Sequence, residues 1–230
     1  MIIYGKNVVK EAILNDRKIY KLYVDNKLND YKYKSFLEEN NLNIIYEDKG
    51  FLNNLTNNAV HNGVVAEVKP YQYKTLEEVI DKTKKQVFLM LDEIYDPHNL
   101  GAIIRTSEAA KIDGIIIGKK HQVPITGAVV KTSSGAIEHM NLILVSNLYQ
   151  VIRKLKENNF YIIGSDLETK HSYKEIPNNK SLLLIVGSED KGLRTLLKRD
   201  CDLIVKIPMK GKVNSLNVSV AAALLIYETL

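Results

Sequence analysis

Arg105 stands in an unusual place. The stretch "DPHNLGAIIRTSEAA", residues 96–110, begins as a polar turn and continues as an apolar helix with the guanidinium inside it. Arginine stays charged, carries five N–H donors and is seldom buried without a partner. Helical spacing puts Ala102, Arg105 and Glu108 on one side, so a salt bridge within the helix is one solution and a ligand is the other. Asn99, six residues earlier, is a candidate helix N-cap, and Gly101 lets another backbone approach closely.

Two further stretches gather polar groups at turns. "LLLIVGSEDKGL" places Gly187, Glu189 and Gly192 after an apolar run. It has the outer glycines of a phosphate loop, but Leu193 and Arg194 stand where that loop needs Lys and Ser/Thr, so the nucleoside-triphosphate reading fails. No G-x-G-x-x-G follows a strand, so a dinucleotide site has no support either. The third stretch is "IPMKGKVNSLNVSVAAALLIYETL". Asn214, Ser215, Asn217 and Ser219 crowd the start of its helix, where backbone N–H groups are open to an acceptor. One such residue satisfies ordinary capping; four exceed it. The helix body is apolar on nearly every side and must be wedged into its own domain or into a partner chain.

The elements that hold these turns are alternating strands and helices. Residues 1–70 form a small α/β unit: "KNVVKEAIL", "YKSFLEENN" and "GFLNNLT" have helical spacing, and "KIYKLYVD", "NIIYE" and "HNGVVAEVKP" read as strands. Residues 71–84 are a linker and a first helix, opening at Thr75 with Glu78 three residues on in a capping-box pattern. Residues 85–230 carry six apolar runs: "VFLMLDEI", "GIIIG", "NLILV", "FYIIGSD", "LLLIVGSE" and "DLIVKIP". Apolar strands alternating with helices such as "LYQVIRKLKENN" imply an α/β fold with a parallel sheet covered on both faces. Ligands in such sheets sit beyond the strand C-termini, where the three stretches fall.

Composition narrows the partners. The 230 residues carry a net charge of +5, spread thinly, which favours a polyanion without demanding one. No apolar run reaches the roughly 18 residues that cross a bilayer, and the N-terminus lacks the pattern of a secretory leader. The single cysteine, Cys201, cannot form an internal disulfide, in keeping with a cytoplasmic setting. No His or Cys spacing points to a metal.

"DPHNLGAIIRTSEA", "IVGSEDKG" and "IPMKGKVNSLNVSVA", in this order, resemble the three motifs of the SpoU (TrmH) class of RNA 2′-O-methyltransferases in the SPOUT superfamily. "KTSSGAIEHM", residues 131–140, is a fourth shared segment. The front unit, ending "AVHNGVVAEVKPY", resembles the RNA-binding domain of the RlmB-type subset, which methylates a guanosine of 23S ribosomal RNA. The resemblance implies a parallel-sheet catalytic domain with a deep C-terminal trefoil knot, preceded by the small RNA-binding domain. It implies S-adenosylmethionine as methyl donor, held at Gly187, Ile207 and Leu216 with Met209 and Asn217 nearby. It implies a homodimer acting on RNA, with ribosomal RNA the expected substrate and neither a membrane nor DNA as partner. Arg105 matches the catalytic arginine of the class, with Asn99, Glu189, Ser215 and Asn217 orienting it, the loop and the ribose. Two other outcomes remain: the same chemistry on transfer RNA, or an RNA-binding protein that keeps the fold without catalysis.

The implied reaction moves a methyl from a sulfonium to a ribose 2′-hydroxyl. Arg105 has been cast in this class as the general base. A guanidinium with a pKa above about 12 suits that role poorly. A charged Arg105 that binds phosphate or ribose and stabilises the developing alkoxide fits better, a phosphate oxygen or water taking the proton. Lys210 and Lys212 flank Gly211 beside the third motif, as phosphate contacts or as solvated charges.

Overall fold

Strand β1 (Ile2–Tyr4) opens the chain and leads into helix α1 (Lys6–Leu14), which buries Val8, Val9 and Ala12 at helical spacing. Then come β2 (Ile19–Asp25), α2 (Tyr31–Glu39), β3 (Ile44–Glu47), α3 (Lys49–Leu55) and β4 (Val64–Val68). Asp30 and Asp48 cap α2 and α3 through backbone N–H groups of Tyr33 and Phe51. The four strands lie in the order β1-β4-β2-β3, with only β2 and β3 parallel. Tyr23, Leu52 and Val65 are buried at the centre, with Ile2, Tyr4 and Phe51 packed on them. Sequence periodicity missed β1, because three residues are too few to show alternation.

The computed structural model describes residues 1–40, 42–188, 192–213 and 215–230. Contacts divide the chain into two units, residues 1–72 with 125–139 and residues 73–124 with 140–230.

In the second unit Thr75 caps α4 (Leu76–Val79) in a full capping box with Glu78, though the helix is a single turn. The six apolar runs become β5 (Val87–Leu91), β6 (Gly114–Gly118), β7 (Leu142–Val145), β8 (Tyr161–Ser165), β9 (Leu182–Val186) and β10 (Leu203–Val205). Between them run α5 (Pro97–Ala109), α6 (Gly127–Thr132), α7 (Leu148–Glu157) and α8 (Thr195–Lys198), and α9 (Val218–Tyr227) follows β10. The sheet order is β10-β8-β9-β5-β6-β7, with every pair parallel. Phe88, Met90, Ile116, Ile162, Leu183 and Ile185 face one side, where α7 adds Leu148, Val151, Ile152 and Leu155. The alternate residues point to the opposite side, and α9 packs there on α5 and β9. The chain winds from β5 out to β7, then crosses back to β8 and β9. The strand order therefore reverses between β5 and β9, the position at which open sheets bind ligands.

Helix α6 belongs to the first unit, where it packs on β1. Arg17 and Glu138 join that segment to the front residues through an ion pair of 2.5 Å whose side chains are each 7% exposed. The sequence reading had not linked residues 125–139 to the front.

Helix α9 is only partly enclosed by its own domain. Val218, Ala222, Leu225 and Ile226 are buried, but Val220 and Tyr227 are about half exposed, so the helix is not enclosed on all sides within this chain.

Candidate functional site

Helix α5 starts at the switch point. Asp96, not Asn99, is its N-cap: the carboxylate accepts from the backbone N–H of His98 at 3.1 Å and of Asn99 at 3.3 Å, with Pro97 in the first helical position. Proline fits there because its missing N–H has no helical partner to lose. Asn99 is thus inside the first turn with its amide released from capping. Its Oδ1 accepts from Asn217 Nδ2 at 2.9 Å. Asn217 caps α9, its Oδ1 accepting from the Ser219 N–H at 2.9 Å and the Ser219 hydroxyl at 2.5 Å. One side chain therefore starts the last helix and ties it to the start of α5.

Arg105 is not buried. α5 buries Leu100, Gly101, Ile103, Ile104 and Ser107 and leaves Arg105 on its exposed stripe. Nor is it an isolated charge, since it is already engaged by a neighbouring group. The apolar neighbours in sequence that made it look enclosed face the sheet, and the arginine faces away from them.

Beyond the C-terminal ends of β8 and β9 lies a cavity of about 350 Å³. Gly187, Ile207, Met209, Ser215 and Leu216, five residues singled out from the sequence, all line it. Gly187 admits no side chain: a Cβ there would lie 2.1 Å from the carbonyl oxygen of Gly192. The Gly192 N–H donates to Ser188 O at 3.0 Å, closing the turn that brings the two glycines together. Gly192 itself has a φ of +63°, which glycine adopts without strain. Arg105, Asn99 and Asn217 are not in the cavity wall. Lys210 and Lys212 are exposed and also lie off it. Glu189 lies outside the described residues, as does Asn214.

The sequence reading missed one side of the cavity. Asp166, Leu167 and Glu168, just past β8, line it together with Lys198. Lys198 Nζ sits 2.6 Å from the Asp166 carboxylate, which is 8% exposed. Burial alone raises this carboxyl's pKa. The bond from Lys198 and the backbone N–H groups of Glu168 and Leu193 outweigh it and hold the carboxyl below its usual value. The "GSD" after an apolar run was the available signal, but carboxylates after strands are common.

Arg194, whose presence argued against a phosphate loop, has a structural partner. Its Nε donates to Asp92 Oδ2 at 2.8 Å and a terminal nitrogen lies 2.6 Å from Oδ1. Asp92 is 1% exposed at the end of β5. The pair fastens the end of β5 to the segment that follows Gly192, and it pushes the guanidinium pKa up further.

The cavity suits a nucleoside with a cationic tail. Its size falls in the range of about 300–1,000 Å³ typical of small-molecule sites. Leu167, Ile207, Leu216 and Val218 give the cavity apolar surface of the kind a purine covers, and Gly187 and Ser188 belong to the same wall. Asp166 and Glu168 supply acceptors for hydroxyl or ammonium donors.

Known proteins agree with this architecture. Residues 86–227 match the SpoU rRNA Methylase family, and residues 2–74 match the model described as RNA 2'-O ribose methyltransferase substrate binding. YacO of Bacillus subtilis (strain 168), assigned to the TrmH family of tRNA/rRNA methyltransferases, is 39% identical over 98% of this chain and 93% of its own length. The SpoU methyltransferase AviRb from Streptomyces viridochromogenes, solved in complex with the cofactor AdoMet, superposes with a TM-score of 0.85 at 21% identity, over 100% of this chain and 88% of that one. The TrmH/SpoU tRNA modifying enzyme of A. aeolicus aligns with a TM-score of 0.58 at 27% identity, over 67% of this chain and 78% of its own. With its catalytic-type unit and its front unit both matched, the chain belongs to the SpoU (TrmH) family of RNA methyltransferases.

Proposed function

We propose that this chain transfers a methyl group from S-adenosylmethionine to a ribose 2′-hydroxyl of RNA, with 23S ribosomal RNA as substrate and a guanosine as target. The observation that carries it is the joining of the three polar turns at one sheet edge. Gly187, Ile207, Met209, Ser215 and Leu216 wall one cavity, and the next residue, Asn217, bonds Asn99 on the arginine-bearing helix.

S-adenosylmethionine, when bound, supplies a methyl already activated on a sulfonium. The protein's work is then to hold and to orient. Gly187, Ile207, Leu216 and Met209 would enclose the donor, and the Asp166 and Glu168 carboxylates on the same wall would be acceptors for its polar groups. The Asn99–Asn217 bond ties the start of α5 to the start of α9, and so sets where the arginine-bearing helix stands relative to the cavity loop. Arg105, being exposed and permanently charged, pairs with the target phosphate and stabilises the alkoxide as the 2′-oxygen attacks the methyl carbon in line. The hydroxyl proton leaves to a phosphate oxygen or to water. Glu189 and Ser215 orient the loop.

Ribosomal RNA is favoured over transfer RNA by the front unit, residues 1–70 joined by a linker at 71–84 to the catalytic domain at 85–230. The tRNA-modifying relative aligns with only two thirds of this chain. A homodimer is favoured by the apolar residues left open on and beside α9, Val220 at 47%, Tyr227 at 54% and Leu230 at 69% exposed. A C-terminal knot, which the family resemblance implies, is in keeping with the return of α9 from the sheet edge at β10 to β9 and α5. Titration calorimetry tests the donor site: the wild-type chain should bind S-adenosylmethionine with one site per chain, and the absence of any heat of binding would leave only an RNA-binding role.

A further inference from the structure

A second cavity, of about 290 Å³, opens beyond the C-terminal ends of β5, β6 and β7 in the second unit. It shares no lining residue with the donor cavity. The loops after β5 and β6 form two of its walls and brace each other. Gln122 Oε1 accepts from the Ile94 N–H at 3.2 Å, and the Val123 N–H donates to Ile94 O at 2.9 Å. Glu93 and His121, one on each loop and both in the wall, take left-handed backbone at φ of +62° and +57°. Residues with side chains adopt it uncommonly, and such strain gathers at ligand sites.

Gln122 is the informative residue. The Ile94 N–H needs an acceptor, so the amide oxygen must face it and the amide nitrogen must face elsewhere. That Nε2 is buried and has no hydrogen-bond partner among the described residues. A buried donor without a partner is costly, and native proteins keep few of them without a reason. An acceptor carried in by a ligand would satisfy it.

The rest of the wall suits a flat, uncharged ring. Tyr149 is 39% exposed and Leu196 65%. Arg194 commits its N–H fork to Asp92, which leaves the planar face of a half-exposed guanidinium open to stacking. Asp92 and Glu93 balance Arg194 and Lys120, so the wall is close to neutral and favours an uncharged ring over a phosphate.

We propose that this cavity receives one unstacked base of the RNA substrate, with Gln122 Nε2 donating to an acceptor on the base edge and Tyr149 and Arg194 lying against its faces. Single-stranded RNA is commonly read by stacking and edge contacts of this kind. The proposal rests on the methyltransferase reading above and adds where the second unit itself holds the RNA. The site lies at the sheet edge from which α5, the arginine-bearing helix, starts.

The test uses the full chain and protein-free ribosomal RNA. Tyr149→Ala should bind the RNA about tenfold more weakly, as for loss of one stacked base. Its slope of log K against log salt should stay that of the wild type, because no phosphate contact is lost. Tyr149→Phe keeps the ring and should bind normally. Gln122→Glu keeps an oxygen for Ile94 and removes the donor, and Gln122→Leu removes it without adding charge; both should bind about tenfold more weakly. All four should bind S-adenosylmethionine as the wild type does in calorimetry. Ultraviolet crosslinking with peptide mapping should place a nucleotide on the segment carrying Tyr149. If Tyr149→Ala and Gln122→Glu bind RNA with unchanged affinity while the wild type methylates normally, the base site is wrong and the methyltransferase reading stands. A lowered melting temperature for both Gln122 variants with unchanged RNA affinity assigns the amide to bracing the loops and overturns the site. If Lys120→Gln flattens the salt slope by about one charge while Tyr149→Ala binds normally, the cavity meets a phosphate and the base assignment is overturned. A wild type that neither binds nor methylates RNA overturns both readings.

Discussion

Asn217 Nδ2 donates to Asn99 Oδ1 across 2.9 Å, bridging residues 118 positions apart in the chain. The same Asn217 caps α9, so the start of the last helix and the start of the arginine-bearing helix are set by one side chain. An amide is suited to this: its oxygen serves the cap while its nitrogen serves the bridge. Asn99→Ala should remove the bridge and leave the cap. Both residues are near the surface, so the melting temperature should move by no more than a few degrees. Single-turnover methyl transfer should fall at least tenfold. An unaffected rate would detach this bond from catalysis.

Asn217→Ala should cost more stability than Asn99→Ala. It loses the cap as well as the bridge, and cap removal typically costs about 1 kcal/mol. Denaturant unfolding of the two variants side by side measures the difference. Equal destabilisation would show that the α9 cap contributes nothing.

Gly187 offers a sharper steric test. Gly187→Ala forces a Cβ to within 2.1 Å of backbone, and relief of overpacking of this kind typically costs about 1–3 kcal/mol. The turn must shift, so S-adenosylmethionine binding should be lost or fall by more than tenfold in calorimetry. Gly211→Ala is the matched control, because nothing lies within 4 Å of its added Cβ. Its binding should equal that of the wild type.

Much of this arrangement was legible in the sequence. The six apolar strands of the parallel sheet stood out because burial on both faces demands continuous Val, Ile and Leu. Gly187, Ile207, Met209 and Leu216 were named from the resemblance of their motifs to those of the family, and they share one cavity wall. What the sequence could not give was orientation. Arg105 lies among Ile103, Ile104 and Ala109, so local composition makes it look enclosed, yet helical geometry turns it outward. Asp96 took the cap expected of Asn99 because Pro97 fixes the helix start one residue after it. Asp166 and Lys198 are 32 positions apart, and only the pairing of β8 with β9 and β10 puts them on one wall.

His61 predicts an acid-side weakness of the front unit. It is 4% exposed, its Nε2 lies 3.0 Å from Asn53 Oδ1, and its Nδ1 accepts from the Gly63 N–H at 3.0 Å. Desolvation lowers its pKa below the ordinary value. The unfolded chain therefore takes up the proton first, at a pH of about 6.5. The stability from neutral His61 is complete above that pH and declines as pH falls below it, until the folded site also protonates. Melting temperatures from pH 8 to pH 5 should fall more steeply for the wild type than for His61→Gln. Parallel curves would contradict this.

The open face of α9 predicts assembly. Val220→Glu together with Tyr227→Glu should shift the chain from dimer to monomer in light scattering, since each places a charge on an exposed apolar position. If both forms have the same mass, the dimer interface lies elsewhere or the chain is monomeric.

If this chain methylates ribose in RNA and a charged Arg105 drives the transfer, the position of the label and its dependence on residue 105 follow directly. Protein-free ribosomal RNA and transfer RNA should be incubated with methyl-labelled S-adenosylmethionine and the wild type, Arg105→Lys or Arg105→Ala, from pH 6 to pH 9, with the label mapped by nuclease digestion. Label should fall on a 2′-oxygen of ribosomal RNA, and Arg105→Ala should lose about 10²–10³ in rate, as for removal of a donor to a developing oxyanion. Arg105→Lys should stay well below the wild type at every pH. Label on a base, or Arg105→Ala at the wild-type rate, would contradict it.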